Sequence, residues 1–131
     1  MKKWFCVVLA VAVLAGCAAQ SPTPGSAVVS QITVSYTENG IHVLHHYTTQ
    51  HKMRQILNHI RLLGQKYTPN IDPDTLRTTV FEVQLSFSSG ALRVYRTRAD
   101  RYIRINDGPW QQTDPQRLQA LNELFLTLPP D

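Results

Sequence analysis

Cysteine is nearly absent from this chain of 131 residues: Cys6 and Cys17 are the only two, and none follows residue 17. The remainder therefore holds no disulfide, no C-x-x-C pair and no thiolate zinc site. Long hydrophobic runs are also missing. The apolar stretch at residues 4–16 (WFCVVLAVAVLAG) has 13 residues, short of the roughly 20 that cross a bilayer as a helix. Glycine is sparse, with 6 residues, and neither a glycine-rich phosphate loop nor a G-x-S-x-G nucleophile elbow occurs. Charge of one sign is in small excess. Of the 13 Lys and Arg, Lys2 and Lys3 precede the apolar stretch, leaving 11 against 9 Asp and Glu. That near balance gives no argument for nucleic acid, and no nucleic-acid partner is expected. What is present, 43% hydrophobic and 17% charged residues, suits one ordinary globular domain.

The first 17 residues have an order of their own. Met1-Lys2-Lys3 is a cationic start, the apolar stretch follows, and Gln20, Ser21 and two prolines come soon after it. That order is a secretory leader. Its end, Leu14-Ala15-Gly16-Cys17, resembles the lipobox of bacterial lipoproteins. The resemblance implies a diacylglyceryl thioether on Cys17, cleavage between Gly16 and Cys17, and a mature N-terminus carrying fatty acyl groups such as palmitate. It covers residues 1–17 only. Two or more acyl chains anchor stably, at about 0.8 kcal/mol per buried methylene. The expectation is an exported protein held at the extracytoplasmic face of a membrane. Ala18 stands where an aspartate would resemble an inner-membrane retention signal, which leaves the outer membrane open as a destination in a two-membrane cell. The competing reading is an ordinary signal peptide cleaved after Ala15 or Ala18.

Residues 1–16 thus read as a signal peptide, 17–30 as a lipidated N-terminus and Ser/Pro/Ala/Gly-rich tether, and 31–131 as a single domain. Within the domain, Ile32, Val34 and Tyr36 alternate with polar residues, and Asn39-Gly40 is a strong hairpin signal. A two-residue turn there pairs Tyr36 with Val43, Val34 with His45 and Ile32 with Tyr47. The period then becomes helical, with Met53, Ile56, Leu57, Ile60 and Leu63 on one stripe before Gly64. Residues 65–78 read as a long loop. Phe81, Val83, Leu85 and Phe87 alternate again. A turn at Ser89-Gly90 pairs Phe87 with Leu92, and one at Ala99-Asp100 pairs Val94 with Ile105. A three-residue loop would reverse that parity. Pro115 opens a last helix with the stripe Leu118, Leu121, Leu124, Phe125 and Leu128. The order ββαβββα predicts an α+β fold: a two-layer sandwich with an antiparallel sheet of about five strands and two helices on one face.

Two features can carry chemistry. Four histidines, His42, His45, His46 and His51, fall within ten residues. His42 and His46 are weak metal candidates, because four residues along a strand separate side chains by roughly 13 Å. The second is the run Arg93 to Arg104 (RVYRTRADRYIR), with five arginines and one acid. The predicted register places Arg93, Tyr95, Tyr102 and Arg104 together on the face opposite the helices, open to phosphate, an anionic envelope polymer, lipid head groups or an envelope protein. Cross-strand Arg–Tyr pairs also stabilise an exposed sheet without binding anything. Asp72 and Asp74 lack the ligand count of a calcium loop, and Pro73 between them reads as a turn. Asp107-Gly108-Pro109-Trp110 likewise reads as a turn, with the ring docked on the core edge. No catalytic constellation and no cofactor are implied. The expected role is a non-enzymatic binding or accessory module. The alternatives are an envelope enzyme using His42 or His46 with Asp72 or Asp74, and a structural assembly subunit.

Overall fold

A computed structural model describes residues 28–131. The cysteine and leader readings, Cys17 included, lie outside the described residues. The fold is α+β: six antiparallel strands in the order β2-β1-β3-β4-β5-β6, with two helices. The strands are β1 (Val29–Glu38), β2 (Ile41–Tyr47), β3 (Val80–Phe87), β4 (Leu92–Arg98), β5 (Tyr102–Ile105) and β6 (Trp110–Gln112). Helix α1 is Gln50–Arg61 and α2 is Pro115–Thr127. Both lay their stripes on one sheet face. Ile56, Leu63, Leu118, Leu121 and Phe125 join Ile32, Val34, Val83 and Ile103 in one cluster, each with 0% of its surface exposed.

The first hairpin has the expected register, Tyr36 opposite Val43, Val34 opposite His45 and Ile32 opposite Tyr47. Asn39 (φ 52°) and Gly40 (φ 78°) supply the two left-handed residues that a twisted two-residue turn needs. The beginning of β1 departs from the expected tether boundary. Val29 already pairs with Phe87, and a bulge at Ser30 shifts the β1–β3 register before Gln31. That extra residue turns Val29 to the helix side, the side of its partner Phe87.

Strand β4 is reversed relative to the sequence expectation. Phe87 N donates to Ala91 O at 2.9 Å, so the loop is three residues, Ser88 to Gly90, and Leu85 faces Arg93 while Val83 faces Tyr95. A second three-residue loop, Ala99 to Arg101, restores the phase at β5, where Tyr95 meets Ile105 and Thr97 meets Ile103. The two slips flip β4 alone. Tyr95 and Thr97 enter the core, Val94 turns outward, and Leu92 is 59% exposed. The buried Thr97 hydroxyl donates to Asn122 Oδ1 on α2 at 2.8 Å, and Asn122 Nδ2 donates to Asp100 Oδ1. This chain satisfies the polar groups that the reversal buries.

Trp110 opens β6 instead of ending a turn. Its ring lies on the face opposite the helices, against the Arg98 guanidinium, and its Nε1 donates to Asp74 Oδ1. Arg98 donates to the carbonyls of Pro73 and Leu76. The long loop is thereby strapped across the outer end of β4–β6, with a single 3₁₀ turn at Pro73–Thr75.

Helix α1 has no cap from its own Thr49 side chain. Asp131 supplies one from the far end of the domain. Its carboxylate accepts from Thr48 N and Thr49 N, from the Thr49 hydroxyl, and pairs with Lys52 at 3.1 Å. Those backbone donors hold the Asp131 carboxyl well below the usual carboxylate range. An anion beside a helix N-terminus is also favoured by the helix dipole.

Candidate functional site

The expected binding face, Arg93, Tyr95, Tyr102 and Arg104, does not assemble. The reversed β4 puts Arg93 and Tyr95 on the helix side, with Tyr95 8% exposed. Tyr102 and Arg104 stay on the outer side, but Tyr102 is 4% exposed beside the strapped Arg98, and Arg104 Nε donates to Gly108 O at 2.8 Å. The outer face also carries its own ion pair, Arg96 to Glu82 at 2.9 Å. Its cations are largely committed to the fold.

The histidines and loop acids are kept apart. His42 and His46 lie on β2, opposite Thr37 and Thr33. His46 Nδ1 sits 3.0 Å from Gln31 Nε2 and 3.2 Å from Thr33 Oγ1. Asp74 is tied to Trp110 on β6, five strand spacings and roughly 24 Å from β2. Asp72 caps the 3₁₀ turn by accepting from Asp74 N. Among the described residues no three His, Cys, Asp or Glu side chains converge as a metal site would require. His45, on the core side, stacks edge-on against Tyr36 and reaches the Tyr47 hydroxyl at 3.3 Å. Burial pushes that hydroxyl up to about 12, and its proton goes to Leu128 O at 2.8 Å.

A concave site forms elsewhere, between α1 and one end of the sheet. The cleft has a volume of about 600 Å³, within the roughly 300–1,000 Å³ common for small-molecule sites. Leu57 and Ile60 of α1 line it on one side, and Leu85, Phe87 and Ile105 of the sheet on the other. Leu57 and Ile60 are half-buried on an otherwise packed stripe. Around this apolar floor stand Arg54, Arg61, Lys66 and Arg93, and the lining contains no carboxylate. Three local causes bring the four cations together. Arg54 and Arg61 are seven residues apart, two turns on one side of α1. Gly64 (φ 80°), two residues past the C-cap Leu62, takes the left-handed conformation and turns the chain so that Lys66 lines the cleft. Arg93 is brought in by the three-residue loop before β4, with its guanidinium 6.0 Å from the Phe87 ring centre.

Among the described residues none of the four forms a salt bridge, whereas Lys52, Arg96 and Arg117 each do. Arg61 reaches only Asn58 Oδ1, at 3.0 Å. Cations around an apolar floor, without neutralising acids, attract an anion and strengthen any hydrogen bond it accepts. Arg93, expected on the outer face, lies on the helix side, where Arg54, Arg61 and Lys66, which no sequence motif marks, join it. The available signal was the i, i+7 pair of arginines flanking Leu57 and Ile60 on the helical stripe. Comparison with protein-family models, with curated proteins and with solved structures finds no match for the chain. Among the described residues no helix is long and apolar enough to cross a membrane.

Proposed function

We propose that the protein is a lipid-anchored cell-envelope binding module, held at a membrane through Cys17 and receiving an anionic envelope ligand at the mouth of the α1–sheet cleft. One observation carries the binding part: four cations rim the cleft with no acid among its lining residues. The lipobox-like residues 14–17 support the anchoring part. Val28 lies at the cleft, and the eleven residues from Cys17 to residue 27 reach at most roughly 40 Å when extended. An acylated Cys17 therefore keeps the cleft near the lipid surface. The ligand site moves from the sheet face to the cleft, with Arg93 common to both. Guanidinium groups suit phosphate and carboxylate through paired hydrogen bonds, so an anionic envelope polymer fits this chemistry. No bond is made or broken in this reading.

Mass spectrometry of the N-terminal peptide tests the anchor: a diacylglyceryl mass on Cys17 is expected, and an unmodified thiol would remove that part. Retention on phosphocellulose tests the rim. Arg54→Ser/Arg93→Ser should elute at clearly lower salt than Arg77→Ser/Arg101→Ser, which removes the same formal charge elsewhere. Equal elution of the two variants overturns the rim as the site.

A further inference from the structure

The cleft has more than charge. Leu57, Ile60, Leu85, Phe87 and Ile105 line it beside the four cations, of which Arg54 and Arg61 are exposed and Lys66 and Arg93 half-buried, while Leu85 and Phe87 are buried. A purely polar ligand, such as a polymer phosphate, makes use of the rim and leaves the floor empty. From this juxtaposition we infer that the occupant is a single-chain anionic lipid, its acyl chain lying along the floor and its phosphate held by the rim. The inference rests on the rim reading above and adds the chemical class of the ligand.

Three observations support the acyl chain. The floor residues are half-buried or buried side chains of the main core, so the cleft is continuous with the hydrophobic interior. Arg54 and Arg61 are spread over two helical turns, roughly 10 Å, which leaves a gap between cations wide enough for a chain to pass beneath a headgroup. The third is position. Val28 and Val29, where the chain enters the domain, line the same cleft, so a tether from a membrane delivers the mouth toward lipid. Burying a chain there removes apolar surface from water on both sides, while the rim selects against neutral headgroups.

Native mass spectrometry of the full-chain protein released from detergent micelles tests the idea with three probes: lysophosphatidylglycerol, lysophosphatidylcholine and glycerol 3-phosphate. The expected result is a one-to-one adduct with lysophosphatidylglycerol, at least tenfold weaker binding of the choline lipid, and weaker binding still of the headgroup alone. Across acyl chains of increasing length the affinity should rise about fourfold per methylene until the cleft is filled. This series uses the unaltered protein and is independent of any variant's folding. Arg54→Ser/Arg93→Ser should abolish the preference for the glycerol headgroup and keep the chain-length trend. Glycerol 3-phosphate binding as tightly as the lysolipids, with no chain-length dependence, overturns the lipid and spares the rim. Absence of binding by all three overturns both.

Discussion

The two ends of the sheet differ in a way that separates structural charge from available charge. At one end the cleft of about 600 Å³ is edged by Arg54, Arg61, Lys66 and Arg93. At the other a smaller pocket of about 290 Å³ is edged by Glu38, Asp100 and Glu123, near Tyr36 and Asn122. Both depressions lie between the same sheet and the helical layer, and they carry opposite charge. In the acidic pocket two of the three carboxylates, Asp100 and Glu123, accept hydrogen bonds from side chains of α2. Asp100 accepts from Asn122, Asn122 accepts from the buried Thr97, and Gln119 donates to Glu123. At the cationic cleft the guanidinium groups of Arg54 and Arg93 make no ion pair among the described residues. A charge satisfied by its neighbours costs stability when removed, and a charge without a partner costs ligand.

The largest effect is expected at the acidic end. Asn122→Ala leaves the Thr97 hydroxyl buried without its acceptor and Asp100 without its donor, which should cost about 1–3 kcal/mol. Chemical denaturation measures it; a change within the noise would mean that the buried chain is not what holds β4 in its reversed phase. Asp131 gives an intermediate effect with a pH signature. Its folded-state pKa is depressed by the Thr48 and Thr49 donors, so its contribution is present above the unfolded value of about 3.9 and is lost as pH falls below it. Asp131→Asn should therefore be less stable than the parent at neutral pH, and the gap in urea midpoint should narrow progressively as pH falls below about 4, without closing until the depressed folded value is passed. A gap constant with pH would contradict the cap. The smallest effect on stability belongs to the cleft. Arg54→Ser should shift unfolding by no more than about 0.5 kcal/mol, as measured by denaturant titration. A loss of several kcal/mol there would place Arg54 with the structural charges and break the contrast.

The sequence disclosed some of this and concealed the rest for physical reasons. The first hairpin was legible because Asn39-Gly40 allows one kind of turn, and a two-residue turn sets every cross-strand pair after it. Both helices were legible because their stripes are long and their ends marked, by Gly64 and by Pro115 after Asp114. Strand β4 was not. Leu92 and Val94 alternate as well as Tyr95 and Thr97 do, and the choice falls to Thr97 because Asn122, 25 residues away, accepts its hydrogen bond. That partner has no local signature. One residue of register then moved Arg93 from the outer face to the cleft. The site as a whole was hidden because its cations come from α1, the turn after it and β4. These are segments that only the folded chain brings together.

The measurement closest to the central claim is amide chemical-shift mapping of the ¹⁵N-labelled protein as glycerol 3-phosphate is added. The account predicts shifts gathered around Arg54, Arg61, Lys66 and Arg93, with Glu38, Asp100 and Glu123 unmoved. Shifts scattered over Arg77, Arg96 and Arg101, or none at the cleft, would contradict it.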